Sequence, residues 1–216
     1  MQPDRAGERQ RMVEEQLRRR GIADKRVLDA MASVPRELFV PEPVRDHAYD
    51  DAALPIGGDQ TISQPYMVAR ICEALGVRPG DRVLDVGTGS GYQAAVLARL
   101  ADEVHTIERL PALADRARSA LQLAGCTNVR VHVGDGSLGL PEHAPFGAIA
   151  VAAAAPEVPA SLYDQLEPGG RLVVPVGGRG GQELQLVVRS PEGPALLRSV
   201  PCRFVPLVGA EGFEGE

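Results

Sequence analysis

From Arg82 onward the chain alternates short apolar runs with helix-length amphipathic stretches. RVLDV (82–86), EVHTIE (103–108), 128–133, 146–151 and RLVVPV (171–176) read as strands. Helices are expected between them, over 92–100, 111–124 and 157–166, with a turn at Gly169 and Gly170. The helix over 111–124 turns Leu113, Ala117 and Leu121 inward and has Gly125 behind it. Strands and helices alternating at this spacing imply an α/β fold, a parallel sheet with helices on both faces. Beyond Val176 the helical pattern stops. Residues 177–181 read as a loop, and 183–189 and 195–205 as two strands joined by SPEGP, so an antiparallel pair is expected to finish the sheet.

The residues ahead of Arg82 are patterned differently. Up to Gly21 they read as a polar helix with a weak apolar stripe of Met12, Val13, Gln16 and Leu17. Asp24 is placed to cap a second helix carrying Val27, Leu28 and Met31 on one face, and Pro35 stops it. Residues 41–59 read as irregular or briefly extended. Pro65 suits the first turn of a helix whose apolar face is Met67, Val68, Ile71, Cys72 and Leu75, closed by Gly76. One domain is expected over 1–216, with 1–78 as a helical extension and 79–216 as the sheet and its hairpin.

Composition removes several classes of function. Net charge is −6, which argues against a nucleic-acid surface. No run reaches the roughly 18 apolar residues of a membrane span, and the first residues lack the apolar core of a secretory signal. Cys72, Cys126 and Cys202 form no CxxC, and His47, His105, His132 and His143 have no ligand spacing. No disulfide framework and no metal site is expected, and the compartment expected is the reducing cytoplasm. A monomer is expected.

The most informative stretch is LDVGTGSGYQ (84–93), which joins the first strand of the alternating region to its helix. Glycines 87, 89 and 91 remove the Cβ atoms that would keep a ligand from the backbone, and the helix start offers unpaired N–H groups. Glu108, about 20 positions on at the end of the next strand, stands where a carboxylate grips two ribose hydroxyls. A dinucleotide and S-adenosylmethionine both fit. The GxGxG spacing favours the methyl donor, as does Asp85, whose charge would repel a pyrophosphate yet could accept from an amino group. In GDG (134–136), Asp135 could accept from the adenine amino group, although Gly and Asp also build plain tight turns.

Taken together, PRELFVP (35–41), LPIGGDQTISQPYMVA (54–69), LDVGTGSGYQ, GDG, APFGAIAV, LEPGGRLVVPVG and RFVPL resemble the protein-L-isoaspartate O-methyltransferase family over nearly the whole chain, about 12–208. TISQP ahead of the cofactor strand is the specific part. The resemblance implies a Rossmann-like, class I S-adenosylmethionine-dependent methyltransferase: a mostly parallel seven-stranded sheet with a C-terminal antiparallel hairpin and an N-terminal helical extension. It implies methyl transfer to the free carboxylate of L-isoaspartyl residues in damaged proteins and peptides, whose ester then closes to a succinimide. It assigns catalysis to Ser63. It puts cofactor contacts on Thr61, Ile62, Ser63, the loop of Gly87, Thr88, Gly89, Ser90 and Gly91, Glu108, Asp135 and Gly136. Two departures stand out: Ala152 replaces a frequent Thr after the fourth strand, and Asp85 replaces a frequent Glu.

A sulfonium methyl is already activated and a carboxylate is already a nucleophile at neutral pH, so this chemistry needs geometry rather than a strong base. A serine hydroxyl can hold and aim the carboxylate. Without a His/Asp partner it is not itself expected to attack. The competing reading is that Ser63 or Gln64 simply caps the helix at Pro65, and the two roles can coexist. An extended peptide is expected to pair with the backbone of Leu54, Pro55 and Ile56 and of Val205, Pro206 and Leu207. The alternatives are a methyltransferase for RNA or a small molecule, a non-enzymatic binding module, and an NAD-linked oxidoreductase.

Overall fold

The computed structural model describes residues 5–178 and 180–215. The N-terminal helical stretch runs as α1 (Ala6–Arg11), a π-helical segment (Met12–Leu17) and a 3-10 turn (Arg18–Arg20). Gly21, at φ 92°, ends it in the left-handed region where a Cβ is disfavoured. The expected single helix is thus one continuous but unevenly wound rod, with Met12, Val13 and Leu17 turned into the core. α2 (Lys25–Ser33) starts where Asp24 accepts a hydrogen bond from the Arg26 N–H, as a side-chain cap should. Two 3-10 turns, Arg36–Phe39 and Glu42–His47, lead to a small hairpin of β1 (Leu54–Gly57) and β2 (Gln60–Ile62). α3 (Pro65–Leu75) begins on its proline and ends on left-handed Gly76.

The main sheet contains β3 (Arg82–Val86), β4 (Glu103–Glu108), β5 (Val129–Val133), β6 (Phe146–Val151), β7 (Leu166–Gly178), β8 (Gly181–Ser190) and β9 (Gly193–Cys202). Their spatial order is β5-β4-β3-β6-β7-β8-β9. β5 through β7 are parallel and the last two strands antiparallel. The order runs outward in both directions from β3, so the switch point lies between β3 and β6, where such sheets leave a crevice beyond their carboxyl ends. α4 (Tyr92–Leu97) and α5 (Pro111–Leu123) connect β3 to β4 and β4 to β5.

One apolar cluster joins α2, α3, α4 and α5 to one face of the sheet through residues such as Met31, Leu75, Val83 and Val104. The N-terminal elements therefore share a core with the sheet. A second cluster, including Leu84, Ile107, Phe146 and Leu162, covers the other face.

Local expectations fail at two places. The helix expected over 157–166 is only α6 (Ala160–Asp164), because Pro159 delays its start and Leu166 already pairs with Phe146. Gly169 and Gly170 form no turn between elements; they lie in an irregular part of β7 where the register with β6 shifts. Glycine is needed there: a Cβ on Gly170 would meet the Glu167 carbonyl oxygen at 2.8 Å. The helix expected over 92–100 is regular only to Leu97. β7 and β8 meet at Gly178 and Gly181, so the loop expected at 177–181 is a tight strand connection; its residue 179 lies outside the described residues.

Candidate active site

The crevice at the switch point is lined by the β2 segment Gln60 to Ser63, the turn Gly87 to Ser90, Glu108 to Leu110, Gly136, Ala152 and Ala153, and Val205 to Val208. The sequence therefore brings three distant stretches to one place: TIS, the glycine-rich turn and Glu108.

The glycine-rich turn is closed on itself. Gly87 and Thr88 donate to the Ile107 carbonyl (3.0 and 3.2 Å), and Gly91 donates to the Thr88 carbonyl (2.8 Å). Gly89 donates to Glu108 Oε2 (2.8 Å). These N–H groups of the turn itself are committed. A pyrophosphate needs open N–H groups; a donor without phosphates does not. Gly87 has φ 89°, and a Cβ on it would stand 3.7 Å from the Ala152 methyl, against the crevice wall. Gly91 has a different use from the one expected. It does not line the crevice; a Cβ there would meet the Ala117 Cβ at 3.3 Å, so its bareness lets α5 pack closely.

Asp85 also departs from expectation. It is fully buried beneath the crevice floor. Gln93 Nε2 donates to its Oδ1 and the Thr106 hydroxyl to its Oδ2, both at 2.8 Å. Asp85 does not itself line the crevice, and it holds the Gln93 side chain that does. Burial pushes its carboxyl up to about 6, and the charge of Glu108 adds to this against the two hydrogen bonds. Gln93 lines the crevice, and its Oε1 is buried with no hydrogen-bond partner. An orphaned acceptor held by a carboxylate at its other end suits a cationic ammonium, which the methionine part of S-adenosylmethionine carries. Glu108 fits the ribose, since its oxygens take single N–H donors from Gly89 and Leu110 (3.0 Å) and retain free lone pairs.

Asp135 is spoken for in a third way. Its Oδ1 accepts from the Ser137 N–H (2.9 Å) and hydroxyl (2.7 Å), and its Oδ2 from the Ala210 N–H (2.7 Å). The C-terminal segment 207–213 lies over it. Gly136 does line the crevice, and a Cβ on it would meet Val86 Cγ1 at 2.7 Å.

Ser63 stands on the crevice wall and its hydroxyl makes no hydrogen bond with any described residue. It does not cap α3, and neither does Gln64, whose Nε2 instead donates to the Asp51 carboxylate (2.7 Å) and carbonyl (3.1 Å). What fixes Ser63 is Arg36, a residue of the PRELFVP stretch to which the sequence pattern assigns no role. This guanidinium is completely buried and donates to the Ser63 carbonyl (2.8 Å) and the Ala48 carbonyl (2.7 Å). It lies 4.7 Å from the Tyr92 ring centroid, an attraction that offsets part of its burial. Burial lowers it to about 10, so it stays cationic at neutral pH.

The expected peptide-pairing backbone is only partly where it was sought. Leu54 and Ile56 are core residues, and β1 is already paired with β2. Neither they nor Pro55 line the crevice. Val205, Pro206 and Leu207 do, but their backbone is engaged too: Ala154 donates to the Val205 carbonyl (2.8 Å), and Leu207 donates to the Ala154 carbonyl (2.7 Å). A second depression adjoins the crevice through Thr61, Ser63, Ala152 and Val205 and extends past Ala53 to Phe204.

A family model described as Protein-L-isoaspartate(D-aspartate) O-methyltransferase (PCMT) matches residues 8–212. The chain belongs to this family. It is 55% identical over 213 residues to the Protein-L-isoaspartate O-methyltransferase of Roseiflexus sp. (strain RS-1), covering 99% of this chain and 97% of that one. It is also 55% identical over 210 residues to the protein of the same name from Methanoculleus marisnigri, covering 97% and 95%. Among solved structures, a protein-L-isoaspartate O-methyltransferase matches with a TM-score of 0.85 at 30% identity, over 94% of this chain and 67% of that one. A Plasmodium falciparum protein assigned the same activity, in complex with S-adenosyl-L-homocysteine, matches with a TM-score of 0.82 at 27% identity, over 93% and 98%. The family settles the choice of cofactor in the same direction as the closed glycine turn, for S-adenosylmethionine.

Proposed function

We propose that Ser63 holds and aims the substrate carboxylate in the reaction of this family, transfer of a methyl group from S-adenosylmethionine to the free carboxylate of L-isoaspartyl residues in damaged proteins and peptides. The resulting ester closes to a succinimide, whose hydrolysis returns some normal aspartate. The carrying observation is a hydroxyl without an internal partner on the wall that also presents Gly87, Gly89 and Glu108. S-adenosylmethionine supplies a methyl group already activated on a sulfonium.

The residues of the chain supply placement. Glu108 holds the ribose hydroxyls, Gln93 Oε1 receives the ammonium, and Thr61, Ile62, Thr88, Ser90 and Gly136 form the walls. Ile62, Val68, Val86 and Ile107 give the crevice an apolar lining that keeps water away. Arg36 is a positioning residue, acting on the Ser63 backbone from inside the core. The substrate peptide enters along the depression between Ala53 and Phe204, beside Val205. An isoaspartyl link adds a methylene to the backbone, so selectivity rests on backbone shape and the free α-carboxylate. The protein works as a monomer in the cytoplasm, without nucleic acid. Its free cysteines suit a reducing compartment, and no helix among the described residues is long and apolar enough to cross a membrane.

Ser63→Ala tests the assignment. Losing one hydrogen bond to a charged group should lower kcat by about 10- to 100-fold. Binding of S-adenosylhomocysteine, followed by calorimetry, should stay unchanged. Cofactor binding lost together with turnover would move Ser63 into the donor site. Equal methylation of matched peptides carrying aspartate or isoaspartate would remove the backbone-shape account.

A further inference from the structure

Three histidines with no ligand spacing in the sequence meet in space. His105 lies on β4, His132 on β5 and His143 in the 3-10 turn Pro141–His143 that crosses them. A nitrogen of each lies within 4.8 Å of a nitrogen of the other two. Strand register accounts for this. His132 is opposite Ile107, two residues from His105, so both rings project from one face. That face carries the second apolar cluster, away from α4 and α5. The rings gather tightly: centroids are 4.2 Å apart for His105 and His143, 4.9 Å for His132 and His143, and 5.2 Å for His105 and His132.

We propose that His105, His132 and His143 form a binding site for one divalent transition-metal ion of the Zn²⁺ class. His105 Nδ1 and His132 Nε2 face each other at 3.0 Å. Two nitrogens on a tetrahedral zinc stand about 3.3 Å apart, given Zn–N bonds of about 2.0–2.1 Å. That pair is therefore nearly in place, and a His143 nitrogen lies within 4.8 Å of both. The other side of His105 is built as metal sites are. Its Nε2 is 3.3 Å from Glu103 Oε1, which leaves Nδ1 free to present a lone pair. Glu103 is in turn held by Arg82 (3.0 Å) and Arg130 (3.1 Å). His105 is 2% exposed, whereas His132 and His143 are only partly buried, so an ion has a way in and a fourth position for water. Imidazole nitrogens without thiolates select zinc, nickel or copper over magnesium or calcium. The bound ion would tie β4 and β5, whose ends carry Glu108 and Asp135, to the turn before β6.

Chelator-treated, dialysed full-length protein should be titrated with Zn²⁺ by calorimetry and with Co²⁺ by visible absorption. One saturable equivalent, a tetrahedral cobalt spectrum and a higher melting temperature with one equivalent of Zn²⁺ are expected. His143→Gln and His132→Ala should each weaken binding about ten-fold or more, while His47→Ala leaves it intact. His143 lies in a surface turn, so His143→Gln keeps the test valid if His132→Ala fails to fold. Absence of a saturable equivalent, or cobalt binding with thiolate charge-transfer bands that survives His143→Gln, would overturn the assignment. A hydrogen-bonded histidine pair without metal affinity would then be what remains.

Discussion

Glu108 closes β4, and Asp135 follows β5 one strand further out. Each carboxylate accepts backbone N–H groups, but from different sources. Glu108 takes its two from Gly89 and Leu110, both local to the crevice. Asp135 takes one from neighbouring Ser137 and another from Ala210, 75 residues away. The C-terminal segment reaches that position because it is tied down elsewhere: Ser161 donates to the Glu211 carboxylate from its N–H (2.9 Å) and its hydroxyl (2.6 Å), and the Glu211 N–H donates to Ser137 (3.0 Å). The Glu108 side of the crevice is thus preset by local loops, while the side toward Asp135 depends on a strap.

The sharpest way to break this contrast is substitution at its two poles. If Glu108 holds the ribose as proposed, Glu108→Ala should weaken S-adenosylhomocysteine binding by about 100-fold, or about 3 kcal/mol. Asp135→Ala, whose oxygens serve the strap, should weaken it by much less. Equal losses in calorimetry would mean that the strap withdraws and Asp135 enters the donor site. The next effect falls on the strap itself. A Cβ on Gly209 would stand 2.0 Å from Asp135 Oδ1 and 2.6 Å from Ser137 Oγ. Gly209→Ala should therefore pull the Ala210 N–H away and cost about 1 kcal/mol of stability through the lost, solvent-exposed hydrogen bond to Asp135. Denaturant melts read this directly. An unchanged midpoint would show that the strap contributes nothing to the fold.

The same contrast explains what could be read from the sequence. The glycine turn, the Pro65 helix start and Glu108 were legible because each depends on residues within a few positions of one another or on the strand–helix period. The mostly parallel sheet and its terminal hairpin followed from the same period. Asp85 and Asp135 stand at or just past strand ends as expected, but their internal partners Gln93, Thr106 and Ala210 could not be read from the sequence, because those come from other elements. Arg36 under Ser63 and the histidine cluster were hidden for the same reason. Both are made by packing across elements, and spacing along one element cannot show that. That β2 pairs one edge of β1 was hidden too, because neither short strand carries a mark of its partner.

Asp85 provides the smallest test, and its sign is opposite to that of Asp135. Asp135 is also partly buried, which acts to raise it, but hydrogen bonds from Ala210 and Ser137 outweigh this and hold it below the usual aspartate value. It therefore contributes stability above the unfolded pKa, lost as pH falls through the folded one. Asp85, raised by burial to about 6, behaves in reverse. Between the unfolded value near 3.9 and about 6, the folded protein binds the extra proton, so stability falls as pH rises, by at most about 1.4 kcal/mol per pH unit for one proton. Asp85→Asn removes that titration while keeping an acceptor. The stability difference, variant minus wild type, should grow in favour of the variant from pH 4 to 6 and level off above 7. Asp135→Asn should instead lose ground to wild type as pH rises from below the usual aspartate value up through it. Parallel pH curves for the two variants would erase the distinction between an acid kept beneath the crevice floor and one held by the strap.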